Sequence, residues 1–251
     1  MKQTAFITGA TSGIGKATAQ LLAKNNFRLI ICGRRKEKLA ELVEELKTAT
    51  EIIALPFDVS KKEEVAKAIS SLPTTFQKID VLINNAGNAH GLHAIQDGSL
   101  ADWDAMIDSN IKGLLYVSRA IMPKMIAQNS GFIVNIGSIA GKDVYANGNV
   151  YCATKHAVDA INKAMRIDLN KYNIRVSGIH PGAVNTEFSK VRFKGDVVKA
   201  NAVYKGFDAL KAEDIAAIIH FVITRPYHVN IEDLVVYPTA QATPTLLNKT
   251  E

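Results

Sequence analysis

Short apolar runs that alternate with segments of helical periodicity constrain this chain more than any other feature. Residues 2–8 form an apolar run that meets Gly9, and from Gly13 to Lys24 the residues Ile14, Ala17, Leu21 and Leu22 recur at helical spacing, so the pattern reads strand, turn, helix. Residues 28–32 are β-rich, and Leu39, Leu42, Val43 and Leu46 then follow at i, i+3, i+4, i+7. The same pattern predicts strands over 52–57, 81–84, 132–136, 175–179 and 234–237, with helices near 61–72, 101–128 (bent at Pro123), 150–171 and 211–224. Apolar strands that each feed a helix require a parallel sheet covered on both faces. The expected architecture is therefore α/β, a doubly wound parallel sheet of about seven strands. No linker or internal repeat divides residues 1–251, so a single domain is expected. Residues 183–210 interrupt the rhythm, and a stretch of that length in a compact domain reads as a lid or substrate loop.

Several function classes are excluded by what the chain lacks. Its apolar runs, such as Leu29-Ile30-Ile31-Cys32, fall far short of the roughly 18 residues a membrane span needs, and the glycine turn arrives before any signal-like segment. No membrane association and a cytoplasmic location are expected. Cys32 and Cys152 are the only cysteines, too few for a disulfide framework or a four-cysteine zinc site. His90 and His93 have no further ligand cluster beside them, so they read as loop polarity and no metal is expected. Thirty Lys and Arg against 24 Asp and Glu leave a formal charge of +6, but the signs are interspersed and no basic stripe alternates with aromatics. A nucleic-acid partner is therefore not expected, whereas an anionic cofactor or substrate suits the excess.

Thr8-Gly9-Ala10-Thr11-Ser12-Gly13-Ile14-Gly15 lies where the first strand turns into the first helix. Glycines there let the backbone approach a pyrophosphate, and a helix N-terminus supplies unpaired N–H groups. Gly9, Thr11, Ser12, Gly13, Ile14 and Gly15 are thus candidate cofactor contacts in a Rossmann-type site. The second strand ends Gly33-Arg34-Arg35, where an NAD-binding site carries an acid for the ribose hydroxyls. Two guanidinium groups instead match a 2′-phosphate, which favours NADP. Asp58 and Val59 follow the third strand; they would border the adenine, or Asp58 would simply cap the next helix.

Tyr151 and Lys155 are four residues apart in a helical segment, so both point to one face. An ammonium held near a phenol favours phenolate, by about 4 kcal/mol at 4 Å and an effective dielectric of 20, or roughly three pKa units. These residues complete an ordered set: the glycine turn, Asn84-Asn85-Ala86-Gly87 after the fourth strand, Asn110, Ser138 after the fifth strand, Tyr151 with Lys155, and Pro181-Gly182 after the sixth. The set resembles the short-chain dehydrogenase/reductase family along essentially the whole chain. That resemblance implies an enzyme acting on CH–OH groups. Tyr151 would be the acid/base, Ser138 would polarise the substrate oxygen, Lys155 would bind the nicotinamide ribose, and Asn110 would hold a water in a proton relay. It also implies that Asn84, Ala86, Gly87, Pro181, Gly182, Val184 and Thr186 line the cofactor, and that the chain assembles as a homotetramer, or a dimer, through the helices over 101–128 and 150–171.

Gly33-Arg34-Arg35, Asp102-Trp103, Gly148-Asn149-Val150-Tyr151, Thr186-Glu187-Phe188-Ser189 and Val191-Arg192-Phe193-Lys194-Gly195-Asp196 are similar to the NADP-dependent 3-hydroxy acid dehydrogenases, which act on serine, allo-threonine and related acids. With Ser138 and Tyr151 on the substrate, Arg192 or Lys194 in the expected lid would grip a carboxylate. The loop after Pro181-Gly182 runs Ala183-Val184-Asn185 without the additional glycine frequent in that group, so its lid would sit differently. Two other readings stay open: a reductase of neutral ketones or aldehydes, and a non-catalytic NADP-binding regulator.

Overall fold

In the computed structural model, which describes residues 2–250, the strands β1 (Thr4–Ile7), β2 (Arg28–Gly33), β3 (Ile52–Pro56), β4 (Val81–Asn84), β5 (Gly131–Ile136), β6 (Ile174–Pro181) and β7 (Asp233–Val236) form one sheet. Its order is β3-β2-β1-β4-β5-β6-β7, and each pairing is parallel. Alternate residues of a strand leave on opposite faces, and both faces here are apolar. Ala5, Ile7, Leu29 and Ile31 join one buried cluster, while Phe6, Ile30 and Cys32 join the other. Helices α1 (Gly13–Lys24), α2 (Lys36–Leu46) and α9 (Ala212–Ile223) cover the first face. Helices α3 (Lys62–Ser70), α5 (Leu114–Ala127) and α6 (Asn149–Leu169) cover the second. The order reverses between β1 and β4, and a crevice must open there beyond the carboxyl ends of the strands.

The long helix expected over 101–128 is two helices. α4 (Leu100–Ile107) passes into α5 through a π turn, Asp108–Gly113, whereas Pro123 sits inside α5 without ending it. The wider turn carries Asn110 inward: its Oδ1 accepts from Asn88 N at 2.8 Å, and its Nδ2 donates to Asn88 O at 2.8 Å and to Thr154 Oγ1 at 3.1 Å. Inserted turns of this kind serve to re-aim a side chain. Residues 183–210 are not structureless. A parallel bridge, Val184 to Leu210, pins the two ends of the excursion, which contains the short helices α7 (Phe188–Arg192) and α8 (Val197–Ala202). No helix among the described residues is long and apolar enough to cross a membrane.

Candidate active site

A cavity of about 880 Å³ opens at the strand reversal and is bordered by the glycine turn, the ends of β2 through β6, α6 and the 183–210 excursion. At its first wall the backbone leaves no room for side chains. A Cβ at Gly15 would lie 2.5 Å from Gly9 O, and Gly9 has φ +66°, a left-handed conformation that glycine adopts freely. Thr8 fixes this turn to the loop after β4, its Oγ1 accepting from Asn85 N and Ala86 N at 2.9 Å each. Ser12 makes no side-chain cap on α1, and the first turn holds no acidic residue, so its N–H groups stay available to an anion. Arg34 and Arg35 border the same end. Arg35 is engaged, its Nη2 donating to Thr11 Oγ1 at 3.0 Å and its Nη1 to Glu187 Oε2 at 2.9 Å. Arg34 is 70% exposed, with only a loose 3.8 Å approach to Asp58, so its guanidinium is free to meet a phosphate. Asp58 borders the cavity but does not cap the next helix: its Oδ1 accepts from Ser60 N at 2.9 Å within the loop, and α3 begins at Lys62 behind Lys61 with no side-chain cap. The site therefore fits a dinucleotide bearing an extra phosphate.

At the other wall, Ser138, Tyr151, Lys155 and Arg192 converge. Ser138 Oγ accepts from Ala140 N at 3.1 Å, which occupies one lone pair and leaves the hydroxyl proton free to donate. Tyr151 is 8% exposed, packed against the Phe188 ring at 5.7 Å, with Arg192 Cζ 5.5 Å above the phenol ring. Burial pushes the Tyr151 phenol above its ordinary range, reinforced by Tyr145 and opposed by the Ser138 hydroxyl and the Arg192 charge. Lys155, expected to lower the phenol, instead has its Nζ donating to Ile136 O at 2.9 Å, and desolvation dominates at the phenol. Burial also pulls the Lys155 ammonium down, to about 8. Asn110 is beside it, since a Cβ at Gly87 would meet Asn110 Oδ1 at 3.1 Å and Lys155 Nζ at 3.7 Å.

The Lys155 shift has a consequence for stability. With a folded value near 8 and an ordinary value of 10.5, the unfolded chain binds more protons between those pH values, so this group's contribution to stability rises with pH across that window. We expect Lys155→Met to stabilise the unliganded protein at pH 7, and the gain to shrink by about 2–3 kcal/mol toward pH 10.5. Urea midpoints across that range check it; a gain independent of pH would contradict it.

Of the candidate cofactor contacts, Thr11, Ser12, Gly13, Ile14, Val59, Ala86, Gly87, Pro181, Gly182, Val184 and Thr186 border the cavity. Four expected residues do not. Gly15 serves close packing behind the turn, and Asn110 stands behind Gly87. Asn84 faces the core, where its Nδ2 donates to Ser118 Oγ and Asn135 Oδ1 at 2.9 Å each, because alternation along β4 turns it away from the crevice. Lys194 is drawn off by Asp102, at 3.0 Å, so of the two lid cations only Arg192 reaches the cavity. His90 borders the cavity, whereas His93 lies outside it, with His90, Asp102 and Trp103 around a minor depression. The sequence reading missed Tyr145, Glu187 and Gln241, which also face the cavity. Gln241 Oε1 accepts from Ala183 N at 2.8 Å, a pairing across 58 positions that no local pattern announces.

A dinucleotide crevice with a Ser–Tyr–Lys wall defines a short chain dehydrogenase: the family model of that description matches residues 3–197, and the chain belongs to this family. Over 238 residues it is 44% identical to the NADP-dependent 3-hydroxy acid dehydrogenase YdfG of Salmonella typhi, covering 94% of this chain and 95% of that protein. It is 42% identical to sulfoacetaldehyde reductase 2 of Chromohalobacter salexigens, over 96% of both chains. Among solved structures, the closed form of serine dehydrogenase complexed with NADP+ superposes with a TM-score of 0.93 at 41% identity, covering 99% of this chain and 100% of that one.

Proposed function

We propose that the protein is an NADP-dependent oxidoreductase that interconverts the alcohol and carbonyl forms of a small 3-hydroxy acid, such as serine, allo-threonine or 3-hydroxypropionate. The observation that carries the acid specificity is Arg192. Its Nε donates to Gly91 O at 3.2 Å, whereas Nη2 is buried without any hydrogen-bond partner, beside the Tyr151 ring. A buried donor left unmatched costs free energy unless a ligand satisfies it, and a guanidinium fork matches an oxyanion. The relatives' names fit this chemistry, since a 3-hydroxy acid and sulfoacetaldehyde both carry an anionic group one methylene from the reacting carbon.

Bound NADP supplies the acceptor for hydride, and its reduced form the donor. The chain's own residues do the rest. Tyr151 exchanges the proton of the reacting oxygen, giving it up in reduction and taking it back in oxidation. Ser138 donates its free hydroxyl proton to the same oxygen as charge develops there. Lys155 holds the ribose hydroxyls, Asn110 anchors a relay behind it, and Arg192 takes the carboxylate. Arg34 takes the 2′-phosphate.

Three assays address this reading. NADP reduction with serine, allo-threonine and 3-hydroxypropionate tests it directly, and the neutral-carbonyl reading gains if neutral alcohols of similar size are oxidised equally well. For the cofactor, Arg34→Ala is expected to weaken NADP by roughly tenfold or more while NAD changes little, as for loss of a hydrogen bond to a charged group; equal losses in equilibrium titrations would remove the phosphate assignment. We also propose a cytoplasmic homotetramer. Sedimentation at micromolar concentration should show four subunits, and monomer alone would contradict it.

A further inference from the structure

His180 is completely buried at the end of β6, directly before Pro181-Gly182, and takes no part in the chemistry proposed above. Two glycines make its slot. A Cβ at Gly137 would lie 2.3 Å from its Nδ1, and one at Gly178 would lie 2.6 Å from its Nε2. Gly137 is the residue before Ser138, and its N–H donates to Ile179 O at 2.7 Å, so the imidazole is wedged against the backbone that presents the Ser138 hydroxyl.

Behind the ring stands a cluster of charges. Nε2 approaches Asp233 Oδ1 to 2.9 Å and Asp159 Oδ1 to 3.7 Å, while Lys142 Nζ bonds both carboxylates at 2.7 Å and Lys163 takes the second oxygen of Asp159 at 2.7 Å. The Lys142 ammonium already supplies the positive charge between the carboxylates, so the three ligand-type side chains Asp159, His180 and Asp233 do not need a metal ion. Neither ring nitrogen has a well-directed hydrogen bond. Burial and then the Lys142 charge pull His180 down to about 4, so it is a neutral ring at physiological pH. Asp159 follows Lys155 by four residues on α6, which extends the line from Tyr151 through Lys155 along one face. The cluster thus fastens the α6 helix to β7, with the imidazole between them and the backbone of Ser138.

We propose that His180 is a positioning residue that sets the Ser138 hydroxyl against Tyr151, acting by the shape and fixed anchorage of its ring. The proposal rests on the roles given to Ser138 and Tyr151 above. Misplacement of a catalytic group by a fraction of an ångström lowers turnover far more than it weakens binding. His180→Ala should therefore lower kcat by roughly tenfold or more with NADP affinity and KM within about twofold.

The deciding measurement is a double-mutant cycle with Ser138→Ala, using whichever of serine, allo-threonine, 3-hydroxypropionate or a neutral alcohol is turned over fastest. If His180 acts through Ser138, His180→Ala changes kcat by less than about twofold once Ser138 is gone. A full tenfold loss in the Ser138→Ala background, or a single His180→Ala with near-native kcat, overturns the proposal while leaving the Ser138 role standing. A Ser138→Ala variant as active as the native enzyme instead removes the underlying site assignment, and the proposal with it. Should His180→Ala fail to fold, Asp233→Ala removes the carboxylate that meets Nε2 from the partly exposed edge strand and enters the same cycle, with the same outcomes supporting or overturning the proposal.

Discussion

Tyr151→Phe is expected to lower turnover by about 10² or more while NADP binding stays near native. The ring is 8% exposed and packed against Phe188, and a phenyl group preserves that packing. What is lost is the titratable hydroxyl that borders the cavity together with Ser138 and Lys155. Ser138 is an ordinary aliphatic hydroxyl with a far weaker acidity than a phenol, and its Oγ is met by Ala140 N. Stopped-flow turnover combined with equilibrium titration of the cofactor separates binding from chemistry. A variant with near-native turnover would assign the proton step to another group.

Arg192→Met should lower kcat/KM for 3-hydroxy acids by roughly 10- to 150-fold, corresponding to ~1.5–3 kcal/mol for a hydrogen bond to a charged group. Methionine keeps most of the length and removes the charge. Arg192 also ties the 183–210 excursion to the loop after β4, through Nε to Gly91 O at 3.2 Å and Gly91 N to Arg192 O at 3.0 Å, so some loss could come from a loosened wall. A neutral alcohol of similar size distinguishes the two causes: it should change little if the guanidinium recognises the carboxylate. Equal losses for acid and neutral substrates would make Arg192 a wall residue and favour the neutral-carbonyl reductase.

Features written into local sequence were legible in advance. Continuous apolar runs located each strand because a sheet buried on both faces needs apolar residues throughout, as in Leu29 to Cys32. The glycine turn and the Tyr151–Lys155 spacing are likewise short-range, and the structure places them on opposite walls of one crevice. What escaped notice depends on partners distant in the chain. Lys194 looked equivalent to Arg192 until Asp102 drew it away, across 92 positions. Asn84 carries the same side chain as Asn85 one position on, yet only the register of β4 against β5 shows that it bonds Asn135 inside the core. The π turn at Asn110 had no signal, because helical periodicity tolerates one inserted residue, whereas Pro123, the visible breaker, lies within an unbroken helix. His180 carried none either: its slot is built by Gly137 from the neighbouring strand.

The most direct test of acid-specific, NADP-linked chemistry is one set of initial rates. NADP reduction would be followed with serine, allo-threonine and 3-hydroxypropionate, alongside neutral alcohols matched in size, and each repeated with NAD. The account predicts that kcat/KM is at least tenfold higher for the acids than for the neutral alcohols, and higher with NADP than with NAD. Comparable rates for acids and neutral alcohols, or a preference for NAD, would contradict it.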